Sequence, residues 1–221
     1  MKETNIIFFG PPGAGKGTQA QKVSSEINLP HIDTGSLIRD AIKKESALGK
    51  KAKEFVESGN LVPDELVIDL IGEKLSIIKN GSFKGFILDG FPRTIPQADA
   101  LKNLMKTMKL HKPTVINVQA PDEILVTRLS ARRLCSNKAC GTIYNLISKK
   151  PMVEGKCDVC KSDLYQRKDD TKEACTQRLK EYYTKTAPLE EYYRKQELLI
   201  NVDGTKGSAE VYKQIINELE I

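Results

Sequence analysis

The chain contains no tryptophan, only two histidines, and no more than 6% aromatic residues in all. It also lacks long apolar runs. Near the N-terminus the apolar stretch at 6–9 is four residues long, too short for a signal-peptide hydrophobic region or a membrane-spanning helix. No tract is of low complexity, and 39% hydrophobic with 29% charged residues is the balance of an ordinary globular chain, not a disordered or fibrous one. A cytoplasmic protein without a membrane partner is the expectation. Cysteine is scarce too: there are five, four of them in two close pairs. In a reducing compartment such pairs read as metal ligands and not as a disulfide framework. His31 and His111 stand apart from every motif and receive no role.

What is present is a rhythm of strands and helices. At 221 residues, one core carrying an insertion or two is the natural division. Residues 6–9 read as a buried strand, followed by a glycine-rich turn and a helix over 16–27. Short apolar runs at 85–88, 114–118 and 198–202 repeat the pattern, each followed by a helical stretch. Strands alternating with helices predict a parallel sheet covered on both faces, with ligands at the carboxyl ends of the strands. Asp33, Asp89 and Asp203 would lie there. Pro63 with Asp64 and Glu65 opens a helix to about 79, and Pro121 with Asp122 and Glu123 opens one to about 134. Asp170 and Glu173 resemble a capping box. Two segments break the rhythm: 34–61, helical and polar with an interruption at Leu48-Gly49, and 135–166, rich in turns and bearing the cysteine pairs.

The turn Gly10-Pro-Pro-Gly-Ala-Gly-Lys-Gly-Thr18 sets backbone N–H groups and the positive end of a helix dipole toward one anion. Lys16 adds a full charge. The hydroxyl that usually follows the lysine directly arrives one residue late, at Thr18, which weakens a GTPase or motor-ATPase reading. A glycine turn without ligand is the bland alternative. Downstream, Asp89 at a strand end and Arg93 in the next loop could serve Mg²⁺ and a second phosphate, and Arg39 follows the Asp33-Thr-Gly-Ser turn. Cys135-x4-Cys140 and Cys157-x2-Cys160, 16 residues apart, approach the spacing of a zinc ribbon with four thiolates. Incidental or redox-sensitive thiols are the rivals. The net charge of +6 is spread along the chain, which suits a small polyanion better than a nucleic acid.

These segments together resemble adenylate kinases: GPPGAGKGTQA at 10–20, DTGSLIRD at 33–40, LVPDELV at 61–67, FILDGFPRTIPQADA at 86–100, ARR at 131–133, YQRKDD at 165–170, CTQRL at 175–179 and VDGTK at 202–206. The resemblance implies a P-loop-like α/β core with a five-stranded parallel sheet (1–32, 63–128 and 169–221), a small helical AMP-binding lobe (33–62) and a zinc-ribbon-like lid (129–168). It implies that Gly13, Ala14, Gly15, Lys16, Gly17 and Thr18 hold ATP phosphates, that Arg128 stacks on the ATP adenine, and that the backbone near Lys206 meets its amine. AMP would be held by Thr34, Gly35, Arg39, Leu61, Val62, Gly90, Arg93 and Gln97, with Gln97 on the adenine edge. Arg132, Arg167 and Arg178 would surround the migrating phosphoryl beside Lys16, Arg93 and Asp89, the last two arginines also reaching AMP. Asp169 and Asp170 would pair with them on closure. Mg²⁺ would come with ATP, and one structural Zn²⁺ would sit on Cys135, Cys140, Cys157 and Cys160. Cys175 sits at helical spacing with Leu179 and Tyr182 and is expected in the core. The implied reaction is ATP + AMP = 2 ADP in a monomer whose partners are these nucleotides. A kinase for another nucleoside monophosphate, a zinc-ribbon nucleic-acid binder and a non-catalytic nucleotide-binding regulator are the alternatives. The cysteine segment offers the nucleic-acid binder little for stacking beyond Tyr144 and Tyr165.

Overall fold

The four apolar runs become neighbouring strands because their side chains can be buried only if helices cover the sheet on both sides. A computed structural model describes residues 3–58, 60–80, 84–137 and 139–220. In chain order the first elements are β1 (Thr4–Phe9), α1 (Lys16–Ile27), β2 (His31–Asp33), α2 (Thr34–Lys43), α3 (Ala47–Glu57), α4 (Asp64–Lys79), β3 (Gly85–Asp89), α5 (Ile95–Thr107), β4 (Thr114–Gln119) and α6 (Asp122–Ser130). There follow β5 (Arg132–Cys135), β6 (Ile143–Asn145), β7 (Leu164–Tyr165), a 3₁₀ turn (Lys168–Asp170), α7 (Lys172–Glu181), a π-helical turn (Tyr182–Thr186), α8 (Pro188–Arg194), β8 (Leu199–Asp203) and α9 (Ser208–Leu219). Residue 138, between the first two paired cysteines, lies outside the described residues, as do 59 in the expected AMP-binding lobe and 81–83 in the expected core.

Five strands pair in parallel in the order β2-β3-β1-β4-β8. Because side chains alternate across a strand, the sheet feeds two cores. Ile7, Phe9, Phe86, Leu88 and Val115 pack under α4, α5 and α8 with Ile71, Leu75, Leu101 and Leu189. Ile6, Phe8, Ile87, Ile116 and Val118 pack on the other face with Ala20, Val23, Leu125, Val211 and Ile215. Cys175 is buried, as expected. A second sheet, β6-β5-β7, is antiparallel. Among the described residues no helix is long and apolar enough to cross a membrane.

Three local expectations are corrected, and one strand is added. The helix after Pro121 stops at Ser130, because 132–135 is taken up by pairing in the second sheet. The polar helical segment breaks at 44–46, where the Ser46 hydroxyl caps α3 by accepting from Gly49 N, and not at Leu48-Gly49. Gly49 lies inside α3, where a Cβ would stand 2.0 Å from Ala41 O; the glycine allows α2 and α3 to touch. Thr171, not Asp170, caps α7, accepting from Ala174 N at 3.3 Å. Residues 31–33 form the outer strand β2, which a single buried isoleucine did not reveal.

Candidate active site

β1 delivers the chain to the glycine turn, and α1 starts at Lys16 with Gly15 left-handed at φ 98° and no side-chain cap. The first-turn N–H groups of α1 therefore face outward with the helix dipole behind them. Lys16 Nζ folds back on Pro11 O at 2.8 Å. Asp89 ends β3 in register with Phe8 and Asp33, and a Cβ on Gly17 would stand 2.9 Å from Asp89 Oδ2, so this carboxylate rests against the start of α1. Desolvation pushes the Lys16 ammonium down to about 8; Asp89 opposes the shift while Arg93, Arg178 and Arg132 add to it. A role for Lys16 as a phosphate ligand needs the charged form, and on that role kcat/KM for ATP is expected to fall above about pH 8 by up to tenfold per unit. A profile from pH 6 to 10 checks it; a flat profile to pH 10 would mean that Lys16 stays charged.

Five arginines converge beside Lys16 and this loop. Arg39, one turn into α2, donates to Ser36 Oγ at 3.1 Å and stands 3.6 Å from Asp33 Oδ2. Arg93 Nε donates to Gly90 O at 2.8 Å. Arg132 makes a two-pronged contact with Asp170, Nε to Oδ2 at 2.8 Å and Nη2 to Oδ1 at 2.5 Å. Arg178 Nη1 donates to Asp169 O at 2.9 Å and to Asp170 Oδ1 at 3.0 Å, with Asp169 Oδ2 at 3.2 Å. Asp170 is 0% exposed, which explains why a capping position was the wrong expectation: it is spent on two arginines. Both acids are thus paired with arginines. Arg167 Nε is buried without a hydrogen-bond partner among the described residues.

The electrostatics record the crowding. Burial first, then Arg39 and Arg132, bring Arg167 down to about 10, and burial with Arg178 and Arg39 lowers Arg93. Burial pushes Asp33 and Asp169 up, but Arg39 and the Ser36 hydrogen bonds outweigh it for the first, and Arg178 and Arg167 for the second, so both stay below the usual carboxylate range. Thr34 is 2% exposed and its hydroxyl has no partner among the described residues. The arrangement is an excess of buried positive charge with an orphaned hydroxyl beside it, which a polyanion would relieve. Arg128 stands outside this group, donating to Gly204 O at 2.6 Å and Thr205 O at 3.3 Å after β8. Lys206 is exposed on the same loop, Val62 is buried and Leu61 half-buried.

The second sheet gathers the four cysteines. Their Sγ atoms all lie within 4.8 Å of one another, with Cys135 to Cys160 at 3.3 Å and Cys140 to Cys157 at 3.7 Å. Four thiolates about 2.3 Å from one tetrahedral ion would be about 3.8 Å apart, so the cluster can coordinate a metal. The long x4 interval closes through Asn137, whose carbonyl accepts from Cys140 N and Gly141 N, both at 3.1 Å. Burial raises the Cys157 thiol, but the backbone N–H groups of Cys160 and Val159 and the Tyr144 hydroxyl outweigh it and hold the group low, toward the thiolate that a metal requires.

Comparison with known proteins agrees with this geometry. The adenylate kinase family model matches residues 8–198. The chain belongs to the adenylate kinase family. It is 49% identical to an adenylate kinase of Archaeoglobus fulgidus over 98% of both chains. It is 48% identical to one of Carboxydothermus hydrogenoformans, over 97% of this chain and 99% of the relative, and 44% identical to one of Staphylococcus aureus, over 98% and 99%. The sheet order and the cysteine-bearing second sheet are as expected for an adenylate kinase with a four-cysteine lid.

Two supports of this adenylate kinase site escaped the sequence reading. Thr186, closing the π-helical turn, donates to Arg93 O at 2.8 Å, and nothing in the residues 182–186 announces a π turn. Asp64, read only as a helix-opening acid, reaches across to Gln97 and Thr94 at the start of α5.

Proposed function

We propose a division of labour for the reaction of this family. The chain interconverts ATP and AMP with two ADP. In this reading 1–32, 63–128 and 169–221 form the core, 33–62 the AMP-binding lobe and 129–168 the lid. The glycine turn from Gly13 to Thr18 takes the ATP phosphates, with Lys16 on the transferring end and Arg128 and the Lys206 loop at the adenine. AMP lies over Thr34, Gly35, Leu61, Val62 and Gly90, with Arg39 and Arg93 on its phosphate and Gln97 on its base. Arg132, Arg167 and Arg178 close on the migrating group. What supports this most is the convergence of Lys16, Arg39, Arg93, Arg132, Arg167 and Arg178 on one another in the electrostatics of a single site.

Phosphoryl transfer passes through a loose transition state, so alignment and a positive cage carry most of the catalysis. No general base is assigned, because the attacking oxygen of AMP is already anionic. Asp89, buried against the start of α1, would hold the hydration shell of Mg²⁺, which neutralises phosphate charge when bound. The lid excludes water so that ATP is transferred and not hydrolysed. Zn²⁺ is the proposed occupant of Cys135, Cys140, Cys157 and Cys160, with a structural role alone. Five cysteines outside any disulfide suit a reducing cytoplasm.

The test is ADP formation from Mg-ATP with AMP, GMP, CMP and UMP offered separately, beside a control without acceptor. Fast turnover with AMP and slow hydrolysis in the control are expected. Comparable turnover with another monophosphate would move the assignment of the acceptor, and hydrolysis without acceptor would remove the water-excluding lid.

A further inference from the structure

Gln97 is 2% exposed, and its side-chain amide is engaged at both ends. Oε1 accepts the backbone N–H of Arg93 at 2.7 Å, and Nε2 donates to Asp64 Oδ1 at 2.7 Å. Each partner has only one hydrogen-bonding sense, since a backbone N–H can only donate and an ionised carboxylate can only accept. Turned by 180°, the amide would set Nε2–H against Arg93 N–H and Oε1 against the carboxylate. Asp64 is itself anchored: its Oδ2 accepts from Thr94 Oγ1 at 2.7 Å, and the same Thr94 oxygen caps α5 by accepting from Gln97 N at 3.2 Å. The first turn of α4 and the first turn of α5 are thus joined through one carboxylate whose second function is to orient an amide.

We propose that Asp64 is a specificity-determining positioning residue, which by fixing the Gln97 amide makes the monophosphate site accept adenine and reject 6-oxopurines. The proposal rests on the assignment of Gln97 to the base edge. With its two contacts made, Gln97 keeps one free N–H on Nε2 and one free lone pair on Oε1. Adenine presents an N6 amino donor beside an N1 acceptor, which meet that lone pair and that N–H. Hypoxanthine and guanine invert both groups, offering an O6 acceptor and an N1–H donor, so each would meet its like. An amide free to turn would satisfy either base equally. A site that strands buried polar groups against the wrong ligand discriminates strongly, and here the stranding depends on the amide not turning.

Inosine monophosphate is the informative probe, because its base differs from adenine in these two groups alone. Asp64→Asn keeps the shape but can donate as well as accept, so it removes the opposition at that end and leaves the Arg93 N–H alone to oppose the turned amide. With Mg-ATP saturating, the ratio of kcat/KM for AMP to that for inosine monophosphate is expected to fall about tenfold or more, the scale of one mispaired buried hydrogen bond. AMP should lose and inosine monophosphate gain, with KM for ATP unchanged. Asp64→Ala, which leaves the amide unheld at that end, should move the ratio in the same direction. A merely structural role would lower both substrates together and leave the ratio intact, and that result overturns the proposal. Gln97→Ala run in parallel separates the two layers. If the ratio survives Gln97→Ala, the base-edge assignment fails and the proposal with it; if it collapses there but not in the Asp64 variants, only the role of Asp64 falls.

Discussion

Replacing Lys16 by methionine is expected to lower kcat about a thousandfold or more while leaving the melting temperature unchanged or higher. Methionine keeps the apolar stem and removes the charge. A preorganised cation aimed at the transferring phosphoryl group is worth about 10²–10³ or more in rate, because it acts in a water-poor site and needs no reorganisation as charge shifts. Stability should move the other way. In the fold the ammonium is desolvated and set among Arg93, Arg178 and Arg132, so its pKa is about 8 against an ordinary 10.5. A cation whose folded pKa is depressed opposes folding fully below about pH 8, and the opposition fades as pH rises from 8 toward 10.5. At pH 7 the substitution therefore removes a penalty. Steady-state kinetics and thermal melts at pH 7 check both halves. Near-normal kcat would take Lys16 out of the chemistry, and a clear drop in melting temperature would make its contact with Pro11 O a structural strut.

The second large effect belongs to the four-thiol cluster. Cys157→Ser, or a strong chelator on the unaltered protein, is expected to remove one bound metal per chain. Melting temperature should drop by about 10 °C or more, since each kcal/mol lost moves it by about 2–4 °C in a chain of this size. The reason is the size of the core in this segment. Among the described residues its buried cluster consists of Cys135, Tyr144 and Cys157, with only Cys140, Cys160 and Leu164 packed against it. Apart from one tyrosine and one leucine, that core is the four cysteines. A small irregular segment of this kind folds largely on the free energy of metal binding. Metal analysis, thermal melts and limited proteolysis within 129–168 read the effect. Transfer should decline with it, and acceptor-independent hydrolysis should rise relative to transfer as water enters. An undiminished melting temperature after complete metal loss would show that the segment folds by itself.

The residues that proved legible in the sequence are those whose signal is local. A four-residue apolar run, a glycine turn and a lysine announce a strand, a tight turn and a helix within 22 residues, and α1 spans Lys16–Ile27 as read. The strand runs at 85–88 and 114–118 differ from β3 and β4 by one residue. The cysteine pairs could be recognised as one cluster able to hold a metal because thiolate spacing is itself a chemical pattern.

Other features depend on partners far away in the chain. β2 carries one buried isoleucine and exists because β3 pairs with it. Gly49 looks like a helix interruption until Ala41 is placed against it. Asp170 looks like a cap until Arg132, 38 residues earlier, takes its carboxylate. Asp64 and Gln97 are 33 residues apart, and no periodicity connects them. By itself, then, the sequence determined the alternation of strands and helices, the glycine turn between β1 and α1, and the grouping of four cysteines, because backbone propensity, side-chain period and donor chemistry act within a few residues. Only the tertiary structure decided which acid serves which arginine and which way the Gln97 amide faces. Those are choices among hydrogen-bond partners, and a partner exists only once the chain has brought it there.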